Sequence, residues 1–428
     1  MEFQTGKHGG CTEGEEGVRR PFFSIVMPCY GVEAYIARAI KCVQAQTFPD
    51  WELIVVDDCT PDESAVIAME YAARDGRIRV VSHEENRGLS AARNTGIAQA
   101  RGRYLWMPDP DDTYAADILQ RVHRAVCGEC RDARAESEAA GDCGTGSSER
   151  AARIGGAADG GDSVLAADGV SAASGRCLRT DSPLDVVAFG YMEEYYDENG
   201  AFLYEHALPM EQGRYAEAQD WHGLVVDFER GTHFGYAWNK VYRLERVREL
   251  GLEFEQVRLI EDVVFNAAFF QNAVGMAVLD GMPYRYAKRR GSSLTNSNAY
   301  SWAEYYALHR RRIGLLHDLL DGWGVLDGRA RGILGALYGR YVLSTLERQC
   351  EPVGALACAE RRAWCTEVFR DPLFGELVSV AHAESAVLRM CLLPLRARSA
   401  GVCVALGSVM HFARGHVYAL FTRARSGR

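Results

Sequence analysis

Short apolar segments alternate with longer amphipathic segments in the first part of the chain. Four segments rich in β-branched and aromatic residues predict buried strands: FFSIVMP (22–28), WELIVVDD (51–58), IRVVSHE (78–84) and RYLWMPD (103–109). The stretches between them predict three helices, at Glu33–Gln46, Asp62–Arg74 and Leu89–Ala100. Strands and helices that alternate at this spacing indicate right-handed βαβ units and a parallel sheet.

The pattern changes twice farther along the chain. Between residues 128 and 182, Ala, Gly, Ser and Asp replace most large apolar residues, which predicts a flexible insertion. The strand-like segment LDVVAFGYMEEYY (184–196) begins a second half, and apolar residues recur at helical spacing after Tyr300. The predicted organisation is a disordered tail (1–20), one half of an α/β domain (21–127), the insertion (128–182), the second half (183–298) and a helical C-terminal region (299–428).

Composition narrows the classes of function. The chain of 428 residues has a formal net charge of −10, which argues against general nucleic-acid binding. Its thirteen cysteines include the CxxC pair Cys127 and Cys130, but no second pair or His cluster follows, so free thiols are favoured over a metal site. The first twenty residues lack the apolar core of a secretory signal, which predicts a cytoplasmic protein.

Acidic side chains follow two of the predicted strands. Asp109, Asp111 and Asp112 come directly after the fourth strand, and Asp57 with Asp58 ends the second. Ligands bind at the carboxyl ends of strands in such sheets. Clustered carboxylates suit Mg²⁺ or Mn²⁺, whereas an acidic pair can accept hydrogen bonds from a nucleotide. The alternative is that both groups are polar turns whose aspartates cap the next helix.

Several segments together resemble a known family. SIVMPCYGVEAYIARAI, QTFPDWELIVVDDCTPDES and ENRGLSAARNTGIAQARGRYLWMPDPDD are similar to the nucleotide-binding half of a family 2 glycosyltransferase with the GT-A fold, over residues 22 to about 115. FGYAWNKVYR (234–243), LEFEQVRLIEDVVFNAAFF (252–270) and MPYRYAKRRGSSLTN (282–296) resemble the acceptor-side motifs of bacterial members. The resemblance implies a Rossmann-like, mostly parallel sheet flanked by helices and transfer of a sugar from a nucleoside-diphosphate donor.

The resemblance also implies roles for residues of the first half. Asp111 and Asp112 match the last two acids of the family's motif for binding Mn²⁺ or Mg²⁺, and Asp109 beside them would contact the donor. Arg93 would lie near the base and the diphosphate of the donor. The remaining donor-binding candidates are Pro28, Tyr30, Glu33, Asp57 and Asp58. Four residues depart from the family pattern. Gly31 replaces the usual Asn, Cys59 replaces the usual Gly, and Pro108 and Pro110 flank Asp109 where the family usually has an apolar and a small residue.

The second half offers a candidate base. Glu261 and Asp262 open an apolar helix, where the helix dipole favours ionised carboxylates. Matched to the family's acidic pair, Asp262 is the preferred general base, with Glu261 as its neighbour or substitute. Five further residues are weaker candidates for contacts with acceptor or diphosphate: Trp238, Lys240, Arg289, Arg290 and Ser292. The alternative for Trp238 is burial in the core. The alternative for Arg289, Arg290 and Ser292 is that they belong to a basic surface loop.

The last 43 residues, from Ala386, contain seven arginines and no acid. They predict either peripheral contact with an anionic membrane or a helix packed on the catalytic domain. The favoured function is an inverting, metal-dependent glycosyltransferase. It would use a UDP-linked sugar and a saccharide or lipid-linked acceptor in surface polysaccharide or glycoconjugate synthesis. The alternatives are transfer of a nucleotidyl or phosphoglycerol unit and a non-catalytic scaffold of the same fold.

Overall fold

The structure is a computed structural model that describes residues 20–128, 183–289, 301–351 and 354–416. The predicted N-terminal tail and the predicted insertion therefore lie almost entirely outside the described residues. Cys130, Arg290 and Ser292 also lie outside them.

The first half is the predicted α/β unit. Its strands lie side by side in the order β3-β2-β1-β4 and all run parallel. They are β1 (Phe23–Cys29), β2 (Trp51–Asp57), β3 (Ile78–Ser82) and β4 (Tyr104–Trp106), joined by α1 (Glu33–Gln44), α2 (Ser64–Ala72) and α3 (Leu89–Gln99). Every residue of β1 and β2 is buried, since apolar layers cover both faces of the sheet. The predicted fold class is confirmed.

The second half extends the same sheet. After β5 (Thr113–Tyr114) and α4 (Ile118–Cys127), the long strands β6 (Val186–Tyr196) and β10 (Met276–Arg289) run parallel to each other. Between β4 and β6 lies β9 (Lys240–Arg243), antiparallel to both. The other elements are β7 (Phe202–Leu208), β8 (Gly213–Tyr215), α5 (Val225–Arg230), α6 (Leu244–Glu249) and α7 (Glu261–Phe270). The described halves thus share one sheet.

Helix α3 approaches the sheet closely at Gly96, and several of its other buried side chains are small. A Cβ on Gly96 would overlap the side chain of Val26 on β1, and Ala91 and Ala92 are buried beside it. The close approach brings the one large polar residue on this side of the helix, Arg93, into the interior, where it is 1% exposed. The small residues of α3 therefore set the depth at which the guanidinium lies.

Helices make up the described part of the C-terminal region, as predicted. They are α8 (Trp302–Gly322), α9 (Gly328–Arg348), α10 (Cys358–Val368), α11 (Pro372–Ser379), α12 (Ala386–Arg396) and α13 (Ala400–His416). Helix α8 packs against α7, and α9 packs against α8, α11, α12 and α13. Within the described residues, no helix combines the length and the apolar character needed to cross a bilayer.

Candidate active site

Three strand exits of the first half turn through left-handed backbone. Gly31 after β1 has φ 67°, Cys59 after β2 has φ 56°, and Gly88 before α3 has φ 86°. Glycine adopts this region freely, whereas an L side chain costs about 1–2 kcal/mol there. The family's usual glycine at position 59 is therefore explained by the backbone, and Cys59 occupies a strained position at the edge of the site.

The acidic pair after β2 divides into two roles. Asp58 accepts hydrogen bonds from the backbone N–H groups of Arg87 (2.8 Å) and Gly88 (2.7 Å) and contacts His83 Nδ1 at 2.6 Å. It therefore fixes the turn that leads into α3. Asp57 Oδ1 accepts from the N–H of Thr60 (2.9 Å), and no described residue bonds to its Oδ2. Asp57 is consequently better placed than Asp58 to accept a hydrogen bond from a ligand.

Arg93 is the positive charge that the crowded acids require. Its guanidinium donates to Asp262 Oδ1 at 2.6 Å and to Asp109 Oδ1 at 3.3 Å, and it lies 3.7 Å from Glu261 Oε1. Coulombic attraction from these carboxylates raises the pKa of Arg93 against the opposing effect of burial, so the charge is retained. Arg93 thus joins the strand-exit acids of the first half to the head of α7 in the second. The sequence predicted that Arg93 would contact the diphosphate of the donor, whereas here it contacts three carboxylates. The contact with the diphosphate stays a prediction.

Asp262 is held from two sides. Arg93 donates to one carboxylate oxygen, and the backbone N–H of Ala237 donates to the other at 2.9 Å. A carboxylate has about four acceptor positions, so each oxygen keeps a lone pair for an incoming hydroxyl. Orientation by a cation and an amide is the arrangement that a positioned general base requires.

Its neighbour Glu261 is less constrained. The Oε2 atom of Glu261 is buried and has no hydrogen-bond partner among the described residues. Burial, reinforced by the charge of Asp262, raises the pKa of Glu261 to about 7. Glu261 therefore changes charge close to neutral pH directly beside the candidate base.

The aspartates after β4 also have unequal surroundings. Asp112 is fully buried, and its oxygens accept from Tyr284 Oη (2.7 Å) and from the N–H of Ala287 (2.8 Å). Burial first, and then the charges of Asp111 and Asp109, raise the pKa of Asp112 well above its ordinary value. Asp111 has a side chain that is 36% exposed and pairs through Oδ2 with Arg289 at 3.0 Å. Asp111 is thus the acid that reaches open space, whereas Asp112 ties the turn to β10.

These contacts bear on the predicted cation site. Among the described residues, no group of three or more His, Cys, Asp or Glu side chains is arranged to hold a metal. Mg²⁺, however, is usually bound by only one or two carboxylates, with substrate phosphates and waters completing the shell. Asp111 and the quarter-exposed Asp109 fit that pattern. Asp112 is fully buried and accepts one hydrogen bond at each oxygen, so its role as a metal ligand stays a prediction. The residues present therefore suit a site completed by substrate.

The loop before β9 contains the other candidates of the second half. Trp238 is 1% exposed, and its ring stacks on those of Tyr284 (4.4 Å between centroids) and Tyr236 (4.7 Å). These contacts favour core packing, the alternative interpretation for this residue. The buried Lys240 ammonium donates to the carbonyls of His233, Phe234 and Tyr236, and burial lowers its pKa to about 7. Lys240 therefore secures the loop that delivers the Ala237 N–H to Asp262.

The remaining donor candidates line the first loop. Pro28 is buried in β1, and the Tyr30 ring is 52% exposed beyond the strand end. The Glu33 carboxylate accepts from the N–H of Glu63 at 3.3 Å at the start of α1. Of the predicted contacts, Tyr30 is the side chain most available to a nucleotide base.

Two functional contacts were not predicted from the sequence. Tyr284 accepts from the backbone N–H of Asp109 (3.2 Å) while it donates to Asp112, and so connects β10 to the acidic turn. Asn266 on α7 donates to the carbonyls of Phe234 (2.7 Å) and Tyr236 (3.1 Å), beside Lys240. These contacts of the two residues span between 30 and 175 positions of sequence, and no local pattern distinguishes them.

Comparison with known proteins identifies the family that the first half of the chain resembles. Residues 24–134 match the family model described as Glycosyl transferase family 2. The predicted family resemblance is confirmed. The family 2 segment contains the strand exits, Arg93 and all three aspartates after β4.

Curated relatives extend the likeness beyond that segment. The chain is 29% identical to the Uncharacterized glycosyltransferase EpsJ of Bacillus subtilis over 274 residues, which cover 64% of this chain and 62% of EpsJ. It is 37% identical to the UDP-Glc:alpha-D-GlcNAc-diphosphoundecaprenol beta-1,3-glucosyltransferase WfgD of Escherichia coli, over 23% of this chain and 38% of WfgD. The chain thus spans less than two thirds of the length of either relative.

A solved structure supports the fold. S. aureus TarS 1-349 in complex with UDP-GlcNAc superposes with a TM-score of 0.53 and 17% sequence identity, over 91% of this chain and 92% of that one. At this identity the likeness concerns the fold, and it agrees with the predicted GT-A architecture.

Proposed function

We propose that the protein is an inverting glycosyltransferase that moves a sugar from a UDP-linked donor to an acceptor hydroxyl. One observation carries the proposal: Arg93 links the oriented carboxylate of Asp262 to Asp109, so a candidate base lies beside the acidic turn at the strand exits. The family 2 match supports the transfer chemistry. The names of WfgD and of the TarS complex support a UDP-linked donor, and the name of WfgD supports a lipid-linked saccharide acceptor. Such an acceptor suits the synthesis of a surface polysaccharide or glycoconjugate, which belongs to the proposal.

The proposed reaction is a direct displacement. Asp262, oriented by Arg93 and the Ala237 N–H, accepts the proton of the acceptor hydroxyl, whose oxygen attacks the anomeric carbon from the face opposite the leaving diphosphate. The bond from the anomeric carbon to the diphosphate oxygen breaks as the new glycosidic bond forms. No covalent sugar–enzyme intermediate is required, so the configuration inverts.

A divalent cation belongs to this proposal. Asp111, with Asp109, would hold Mn²⁺ or Mg²⁺, which would supply positive charge to the leaving diphosphate. Arg289, now 3.0 Å from Asp111, would lie next to the same group. Asp57 and Tyr30 would contact the nucleoside. Asp112 would hold the turn through its hydrogen bonds with Tyr284 and Ala287.

The test is release of nucleoside diphosphate from a panel of nucleotide sugars, with Mn²⁺ and after chelation by EDTA. We expect release from a UDP-sugar that requires the cation and an acceptor saccharide, with the labelled sugar alone in the product. Labelled nucleotide or phosphoglycerol in the product would instead identify the alternative transferases. Lack of release, and of UDP binding by calorimetry, would indicate the non-catalytic scaffold.

A further inference from the structure

Helices α12 and α13 are apolar on two sides. Their inner sides pack on α9 through Leu392 and Leu395 of α12 and through Cys403 and Val404 of α13. Their outer sides expose a second set of large apolar residues, which we call the outer face: Val387, Met390, Leu393, Val402, Val409 and Phe412. Met390, Leu393, Val409 and Phe412 are each between 58% and 63% exposed. Six large apolar residues exposed on two helices that contact each other are a candidate interaction surface.

A groove on α12 adds shape to the outer face. It has a volume of about 400 Å³ and is lined by Met390 and Leu393 together with Arg389, Arg396 and His382. Apolar side chains and guanidinium groups therefore line the same concave surface. This combination suits a molecule that has hydrocarbon and a negatively charged group next to each other.

Charge identifies the occupant. Arg389, Arg396 and Arg398 are exposed on or directly after α12, and no acidic residue occurs between Ala386 and the last residue of the chain. The chain as a whole is acidic, with a net charge of −10, so this positive region stands out from the rest. Interleaved arginines and apolar side chains on a helix face are typical of segments that lie in the headgroup layer of anionic membranes.

We propose that the outer face of α12 and α13 binds the surface of an anionic lipid bilayer. A second copy of the chain is a poorer occupant, because a two-fold contact would set the arginines of one copy against those of the other. The contact path α12–α9–α8–α7 leads from the outer face to the helix that carries Asp262.

The experiment is co-sedimentation of the full chain with phosphatidylcholine vesicles, with and without phosphatidylglycerol. We expect binding that requires phosphatidylglycerol and weakens as salt rises. Replacing two groove residues with Met390→Asp and Leu393→Asp should lower the partition coefficient at least about tenfold, because each loses burial of a large apolar side chain. Replacing Arg389 and Arg396 with Gln should remove the preference for phosphatidylglycerol.

The matched control carries Val66→Asp and Met69→Asp on α2, where both residues are about half exposed. It adds the same charge to another surface and should bind vesicles like wild type. Point variants are preferable to deletion of the helices, because deletion would expose the side of α9 that α12 and α13 cover. Equal partitioning of wild type and the Met390/Leu393 variant would overturn the proposal. So would light scattering that showed a wild-type dimer, broken by those substitutions, without vesicle binding.

This proposal is independent of the chemistry proposed for the active site. Release of UDP from a soluble donor should be unchanged in the Met390/Leu393 variant, because among the described residues α12 and α13 pack chiefly against α9, α10 and α11. Loss of vesicle binding with retained UDP release is therefore the expected pairing. A failure of the glycosyltransferase assay would leave the vesicle measurement interpretable by itself.

Discussion

Two pairs of adjacent acids at the site, Asp111 with Asp112 and Glu261 with Asp262, can be compared, because the carboxylate of one member of each is held by two hydrogen bonds. Asp262 is held by a guanidinium and an amide, whereas Asp112 is held by a phenol and an amide, both neutral. Burial and the charges of Asp111 and Asp109 raise the pKa of Asp112, because its two hydrogen-bond donors carry no positive charge that would offset them. The two buried carboxylates thus differ in their partners, and the cation beside Asp262 also contacts Asp109 and Glu261.

The largest effect is expected at Arg93, on which this comparison depends. Arg93→Met keeps the side-chain bulk but leaves Asp109, Glu261 and Asp262 close together without a cation. We expect a loss of about 3–5 kcal/mol in unfolding free energy and nearly complete loss of transfer. Urea denaturation and a turnover assay measure the two effects.

The control is Arg93→Lys, which keeps the charge but cannot reach two carboxylates with a planar fork. Its stability should lie between those of wild type and Arg93→Met. A fully stable Arg93→Met protein would mean that the acids do not need the cation.

Removing the carboxylate of Asp111 should affect stability differently from removing that of Asp112. Asp112→Ala leaves the Ala287 N–H and the Tyr284 hydroxyl without their acceptors, and we expect a loss of about 1–3 kcal/mol in unfolding free energy. Asp111→Ala should change stability by less than about 1 kcal/mol, because its pair with Arg289 is partly solvent-exposed. Calorimetry should show weaker UDP binding for Asp111→Ala in the presence of Mn²⁺. The reverse pattern would return the metal role to Asp112.

The pH dependence of the unfolding free energy tests the acids at the start of α7, Glu261 and Asp262. The folded pKa of Glu261 is raised from an ordinary 4.5 to about 7, so the folded state holds more protons than the unfolded state between these values. Wild type should therefore lose stability relative to Glu261→Gln as pH rises from 4.5 to 7, and the two should be equal in stability below that window. Urea denaturation at several pH values tests this, and parallel stability curves would show that the carboxyl is not perturbed.

The smallest effect concerns the backbone at the edge of the site. Cys59→Gly should raise the unfolding free energy by up to about 1 kcal/mol. Glycine adopts the left-handed backbone at this position without strain, and this gain exceeds the extra conformational entropy that glycine gives the unfolded chain. Cys59→Ala keeps the Cβ and should give no gain. Equal stability of the two variants in urea would contradict the assigned strain.

Much of the scaffold follows from local sequence pattern. The apolar runs predicted β1, β2 and β3 to within a few residues, and the predicted helix at Leu89–Ala100 is α3 (Leu89–Gln99). The fourth strand is shorter than predicted, ending at Trp106 instead of residue 109. Pro108 and Pro110 explain the difference, since proline lacks the N–H that a sheet ladder requires.

The division of roles within the site could not be predicted in the same way. Asp111 and Asp112 are neighbours in sequence, and only the arrival of Tyr284 and Ala287 on β10 distinguishes them. Likewise, the contact between Arg93 and Asp262 spans 169 positions of sequence. Sequence pattern predicts which acids gather at the strand exits, but their partners depend on how the two halves pack.

The most direct test of the account is the activity of Asp262→Asn measured together with its binding of UDP. The asparagine keeps the shape of the side chain but cannot take a proton from the acceptor hydroxyl. We predict a fall in kcat of about 10²–10⁴-fold while UDP affinity stays within a few-fold of wild type. Turnover close to that of wild type would contradict the assignment of Asp262 as the base.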